Sequence, residues 1–305
     1  MLKSLISILL ALLPYVVTAQ ISPEANSKPR FDYDAGRPLN YREGKVEIVG
    51  AAKITDISYD SPMIGRVPGY IVSRASAKKE KCPGIVYMHW GQGNRSEFLS
   101  EALEMTRLGA VSILIDAPFW RPDVPDFQPG VDGEKEKQAY VQLVVDLRRA
   151  VDVLLARTDV DPDRIAYVGH SLGATWGGVL VAVENRLKVF VLMGGLPSLT
   201  NYDDTSFIAE VQRLTTPRDK FEKWAKAIEP INPERFVGGS GTAKIYFQWA
   251  RHDMFISPES AQRYFAAARP PKEQKWYFTS HEFNDRASRR DREAWLRKEL
   301  RMRMD

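Results

Sequence analysis

IAYVGHSLGATWGG, residues 165–178, is the stretch on which the fold turns. Four residues of apolar, strand-forming character end at Gly169, Ser171 follows two places later, and an apolar run rich in small residues begins at once. Read as strand, turn and helix, Gly169-His170-Ser171-Leu172-Gly173 is a GxSxG turn. Such a turn lifts its serine clear of the strand end, and the flanking positions must be small because the backbone there is crowded. Read as a glycine-rich connection, the same residues carry no chemistry. The strand before the turn and the helix expected over 172–184 favour the first reading.

A serine nucleophile needs a base, and the chain has four histidines. His170 occupies the variable position of the motif, so its side chain should point elsewhere. His89 ends an apolar strand and suits a loop-fixing hydrogen bond. His252 adjoins an aspartate and is either structural or pocket-shaping. His281, in YFTSHEFND, follows the last expected strand and precedes a C-terminal helix, which lets its loop reach back to Ser171; it is the expected base. The base needs a carboxylate to orient it and stabilise its protonated form. Asp253, in FQWARHDMFISPE, follows a strand end and precedes a helix that Pro258 starts. Asp116 comes before the serine, against the Ser, Asp, His chain order of strand-turn-helix nucleophile sites, and Asp203 and Asp204 sit in a loosely patterned segment. Asp253 is therefore the expected acid.

Attack by the serine makes an oxyanion, which needs preorganised donors. The Leu172 N–H is one. The other is expected from the loop MHWGQGNRSEF, from either Trp90 or Gly91. That loop lacks the Lys-Ser/Thr continuation of a nucleotide-binding loop and lacks GxGxxG, so it does not read as a phosphate cradle. Neither a cofactor nor a metal is called for.

Around this centre, strands are expected over 46–57, 69–73, 84–89, 111–115, 164–168, 189–193, 244–249 and 275–279. Helices are expected over 97–108 and 136–157, the latter with Tyr140, Leu143, Leu147, Val151 and Leu154 on one stripe. Short apolar strands separated by helices imply an α/β architecture, a mainly parallel sheet covered on both faces, with chemistry beyond the strands' C-terminal ends. Between 196 and 241 the order loosens into two helices, 205–214 and 217–228, read as a small helical cap or as an ordinary crossover pair. Phe207, Phe221 and Trp224 from this block, with Phe119 and Trp120 from APFWRPDVPDFQPG, are the candidate pocket walls. Arg121 is either a carboxylate-attracting group or a surface charge.

The 305 residues, 44% of them hydrophobic, suffice for one large domain, expected over 46–305 behind a surface arm at 20–45. Residues 1–19 carry Lys3, an apolar run and a small-residue end at Ala19, the pattern of a secretory signal peptide, with a retained anchor as the alternative. Cleavage would leave no stable membrane insertion and a secreted or periplasmic protein. Cys82 is the single cysteine, so no intrachain disulfide can form. The net charge is +4. The arginines of the C-terminal segment interleave with Asp291, Glu293 and Glu299, which reads as a solvated helix face and not as a nucleic-acid surface.

On GIVYMHWGQGN, SILIDAPF, RIAYVGHSLGA and the ARHD and SHEF segments, residues 46–300 resemble the α/β-hydrolase superfamily, and within it the dienelactone hydrolase and acetyl-xylan-esterase-like branches of secreted bacterial esterases. The chain departs from that pattern in having His89-Trp90 where members commonly have His-Gly, and Ser171 where dienelactone hydrolases proper have cysteine. The resemblance implies a secreted serine hydrolase of carboxylic esters, acetyl or other short acyl groups on small or carbohydrate-linked alcohols. Peptide or amide cleavage by the same residues is one alternative, and a catalytically silent binding protein on the same fold is another.

Overall fold

Alternation of β-branched and aromatic residues with turn-forming ones gives nine strands that join into one sheet. The computed structural model describes residues 28–76, 80–124 and 129–302. The strands are β1 (Arg42–Val49), β2 (Ala52–Asp60), β3 (Arg66–Arg74), β4 (Cys82–Met88), β5 (Val111–Ile115), β6 (Val160–His170), β7 (Val189–Met193), β8 (Lys244–His252) and β9 (Lys272–Ser280). Their spatial order is β1-β2-β3-β5-β4-β6-β7-β8-β9. The first three are antiparallel, β3 pairs antiparallel with β5, and every later pairing is parallel. The expected mainly parallel sheet is thus present with an antiparallel flank.

One expectation fails at that flank. Residues 46–57 are not a single strand but parts of two, because Gly50 adopts φ +60° and turns the chain so that Val49 pairs with Ala52. The apolar alternation runs across the turn unbroken, and only the left-handed glycine marks the reversal.

Seven α-helices are described: α1 (Leu99–Arg107), α2 (Gly133–Leu155), α3 (Leu172–Val183), α4 (Phe207–Thr215), α5 (Arg218–Ile228), α6 (Pro258–Ala267) and α7 (Arg286–Glu299). The sheet's period-two alternation divides its side chains between two cores. Along β4, Ile85 and Tyr87 join Phe98 and Met105 near α1 and Trp295 and Leu296 of α7. Val86 and Met88 join Leu147 and Val151 of α2, Trp176 and Leu180 of α3, and Tyr264 of α6. Helix α7 is less solvated than its charge pattern implies. Its Arg292 is buried and makes a forked ion pair with Glu101, closest at 2.6 Å.

The residues between β7 and β8 form a helical cap insertion. Helix α5 lies so close to α2 that a Cβ on Gly133 would stand 2.9 Å from the Ala227 Cβ. Trp224 of α5 also donates its indole N–H to Glu136 of α2 at 2.6 Å. The arm ahead of β1 is laid on α2 as well. Tyr33 donates its hydroxyl to Asp152 at 2.8 Å, and the Arg148 guanidinium donates to the Phe31 carbonyl at 2.7 Å. Residues 1–27, which include the expected signal segment, lie outside the described residues. No described helix is long and apolar enough to cross a membrane.

Candidate active site

Parallel pairing brings the C-terminal ends of β4, β6, β7, β8 and β9 to one rim, where Met88 stands opposite Gly169, His170 opposite Met193, and His252 opposite Ser280. Between β6 and α3 the chain reverses in a single residue, Ser171, whose φ of +51° and ψ of −104° few side-chain-bearing residues adopt. Such a turn leaves no room for its neighbours. A Cβ on Gly169 would lie 2.4 Å from the Gly173 carbonyl carbon, and one on Gly173 would lie 2.3 Å from the Met88 carbonyl oxygen. Gly173→Ala is therefore expected to cost about 1–3 kcal/mol through overpacking. Urea denaturation checks it, and an unchanged midpoint would contradict this close approach. The turn is held from both sides by the Ser171 N–H donating to the Met193 carbonyl at 2.8 Å and by the Thr175 hydroxyl donating to the Ser171 carbonyl at 2.8 Å.

Three of the expected residues meet here. Ser171 Oγ lies 2.8 Å from His281 Nε2, and His281 Nδ1 lies 2.8 Å and 3.0 Å from the two Asp253 carboxylate oxygens. The side chains of His281 and Asp253 are 3% and 2% exposed, so this pair is shielded from water. The Asp253 carboxylate also accepts the Phe255 and Ile256 N–H groups, at 2.9 and 3.0 Å, which fixes its plane. The Phe255 ring lies 4.6 Å from the His281 imidazole, centroid to centroid. The rival carboxylates are engaged elsewhere: Asp116 accepts the Arg95 N–H at 2.7 Å, Asp204 accepts the Ser206 N–H at 2.8 Å, and Asp203 is exposed.

The oxyanion expectation divides. Leu172 is the first residue of α3, where an N–H has no acceptor within its own helix. Trp90 is corrected: its N–H donates to Glu97 Oε2 at 2.7 Å and so is turned to a carboxylate and not to a substrate. Its indole covers the loop, since a Cβ on Gly93 would lie 2.6 Å from Trp90 Cδ1. His89 locks the same loop. Its Nε2 accepts the Ala117 N–H at 3.0 Å, so its proton sits on Nδ1, 2.5 Å from the Trp90 carbonyl. Burial pushes the His89 pKa down, in keeping with that neutral ring.

Solved structures share this architecture. The acetyl xylan esterase from Paenibacillus sp. R4 superposes with a TM-score of 0.71 at 20% identity, covering 88% of this chain and 92% of its own. Acetyl xylan esterase 1 from Thermoanaerobacterium sp. JW/SL YS485 gives 0.74 at 14% identity, with 89% and 92% covered. A cold-adapted esterase from an Arctic intertidal metagenomic library gives 0.62 at 16%, with 86% and 100% covered. The chain has the α/β-hydrolase fold. No family model matches the sequence. YtaP of Bacillus subtilis (strain 168), provisionally named a hydrolase, is 25% identical over 146 residues, 41% of this chain and 47% of YtaP. The chain thus spans about half the length of that curated relative.

Within the α/β-hydrolase frame, the expected pocket walls scatter. A cavity of about 290 Å³ lies under the cap, lined by Leu196, Leu199, Ile208, Ala209, Trp224 and Phe255 among others. Of the four expected aromatics whose side chains are described, only Trp224 lines it. Phe119 packs edge-on against Tyr140 at 5.4 Å, and Phe221 is buried between Tyr202 and Trp224. Phe207 is corrected: it is 53% exposed on the outer face of α4. The Trp120 side chain and residues 125–128 lie outside the described residues. Arg121 faces neither pocket nor solvent, because it is buried against Asp146 at 2.5 Å.

A larger depression of about 690 Å³, with Cys82, Val189 and Lys244 in its lining, sits at the opposite strand ends. Its position is the wrong one for ligands of open α/β sheets. Among the described residues no group of three or more His, Cys, Asp or Glu gathers as a metal site.

Residues that sequence reasoning passed over also shape the rim. Phe255 joins the cavity to His281, and Thr175 Oγ1 accepts the Leu196 N–H at 2.9 Å. Glu97 and His170 form a further link, taken up below. The sequence carried no signal for Glu97, a lone acid in a polar turn.

Proposed function

We propose that the chain is a serine-dependent hydrolase of carboxylic esters. The observation that carries this is the continuous line from Ser171 Oγ through His281 to Asp253, 2.8 Å at each step, on a one-residue turn. In the proposed reaction His281 Nε2 takes the Ser171 proton as Oγ bonds to the ester carbonyl carbon. Asp253 remains ionised and stabilises the imidazolium. The carbonyl oxygen becomes an oxyanion, bound by the N–H groups of Leu172 and Gly91. Collapse breaks the carbon–alcohol bond, and His281 returns the proton to the departing alcohol oxygen. A water then attacks the acyl-serine, gives its proton to His281, and the acid leaves as Ser171 regains its hydrogen.

The esterase names of these three fold relatives support an ester substrate, and the two acetyl xylan esterases support short acyl groups on small or carbohydrate-linked alcohols. The cavity under the cap takes one arm of the ester. Ala209→Phe, which fills that cavity, is expected to lower kcat/KM at least tenfold for esters with a long arm while changing p-nitrophenyl acetate by less than about threefold. Equal losses on both would remove the cavity from the substrate path. We also propose that residues 1–19 direct export, to be checked by the N-terminus of protein recovered outside the cytoplasm.

The primary test is labelling of Ser171 by a fluorophosphonate. A panel of p-nitrophenyl acetate, longer acyl esters, acetylated xylan and aminoacyl amides follows it. No labelling and no turnover would reject a hydrolase; turnover of the amides alone would reject the ester.

A further inference from the structure

One hydrogen-bonded line at the rim has no part in the steps above. Glu97 Oε2 accepts the Trp90 N–H at 2.7 Å, Glu97 Oε1 lies 2.6 Å from His170 Nδ1, and His170 Nε2 lies 2.7 Å from the main-chain carbonyl of His281. His170 is 3% exposed, so water does not complete these contacts for it. A carbonyl only accepts, so Nε2 carries hydrogen. A second hydrogen must lie between Nδ1 and Oε1, because two lone pairs at 2.6 Å repel. The pair therefore shares one proton and is neutral as a unit, whether written as imidazolium and carboxylate or as imidazole and carboxylic acid.

The two ends of this line are two loops that the proposed chemistry uses, the oxyanion loop and the loop of the base. At one end, the peptide joining His89 to Trp90 is pinned on both of its polar atoms. Its N–H goes to Glu97 and its carbonyl accepts the Gly173 N–H at 3.2 Å. The next carbonyl, that of Trp90, accepts the His89 ring at 2.5 Å and the Gly93 N–H at 3.0 Å. Peptide planarity then fixes the direction of the Gly91 N–H. At the other end, His170 holds the main chain of the loop that carries the base. His170 itself is anchored in the sheet, opposite Met193. His89 interacts electrostatically with both members of the pair and Glu282 with His170, and Glu282 is held below its usual range by the Ser280 hydroxyl.

Resting on the ester-hydrolase reading, we propose that Glu97 and His170 are a positioning pair that sets the oxyanion loop and the His281 loop at a fixed mutual distance. Neither touches substrate. Their effect falls on kcat, since the distance matters most when charge develops on the carbonyl oxygen.

Glu97→Gln, Glu97→Met and Glu97→Ala separate this from a role in folding alone. The glutamine amide can donate to His170 Nδ1 and its carbonyl can accept the Trp90 N–H, so both bonds survive without the shared proton. Methionine keeps the volume and loses both bonds. The expected result is a fall in kcat on the order of 100-fold for Met and Ala with KM within about threefold, and recovery to within about threefold of wild type for Gln. The fluorophosphonate labelling rate should follow kcat. The proposal is overturned by Met retaining wild-type kcat, by Gln losing as much as Met, by losses confined to KM, or by failure of Met and Ala to fold. Labelling of the wild-type protein comes first: if that fails, the hydrolase reading is at fault. If the wild type labels and Met labels equally fast, only the positioning pair is.

Discussion

Ser171→Ala is expected to lower ester turnover by at least about 10⁴-fold, and to abolish fluorophosphonate labelling, with the thermal midpoint within a few degrees of wild type. The size follows from the chemistry: without Oγ no acyl-enzyme forms, and what remains is the oxyanion donors and the bound geometry acting on water. The small stability effect follows from the contacts. The turn is held by main-chain groups of Ser171, its N–H to Met193 and its carbonyl from Thr175, and alanine keeps both. The hydroxyl contributes one hydrogen bond, to His281. Steady-state hydrolysis of p-nitrophenyl acetate beside a melting curve checks both halves. Turnover within tenfold of wild type would remove Ser171 from the reaction.

Asp253→Asn is expected to cost about 10⁴-fold in kcat through a proton in the wrong place. Asp253 Oδ1 accepts two main-chain N–H groups, from Phe255 and Ile256. An asparagine must therefore keep its carbonyl there and turn its NH₂ toward His281 Nδ1. That nitrogen then has to accept, the ring proton moves to Nε2, and Nε2 can no longer take hydrogen from Ser171. Asp253→Ala should be impaired as well, but without this tautomeric lock. An asparagine variant with kcat within tenfold of wild type would show that the carboxylate does not set the state of His281.

Much of this rim could be read in advance because each group sits at a strand end, and strand ends are legible. Ser171, Asp253 and His281 each follow an apolar run by one to three residues, and parallel pairing does the rest. What could not be read depends on direction and not on place. Whether Trp90 offers its N–H to a substrate or to a carboxylate is decided by Glu97, seven residues further on, and nothing in MHWGQGNRSEF marks that bond. Phe207 failed for the same reason. On α4, Phe207, Val211 and Leu214 lie on one stripe with Ile208 at its edge, the side that helical spacing would turn inward, yet all four are exposed and the helix buries Ala209 alone. The hairpin at Gly50 was hidden because residues on both sides of it suit a strand equally well.

The cap's two helices are held very unequally. Helix α5 buries Phe221, Trp224 and Ile228 and ties Trp224 to Glu136, whereas α4 buries Ala209 alone and leaves Phe207 and Leu214 in water. Lifting α4 therefore uncovers little apolar surface that is not already wet, while lifting α5 would open the α2 side of the protein. The roof of the cavity has one stiff half and one compliant half. Ile208 and Ala209 belong to the compliant one, so the size of group that fits beneath it is set by a helix whose displacement costs the fold little.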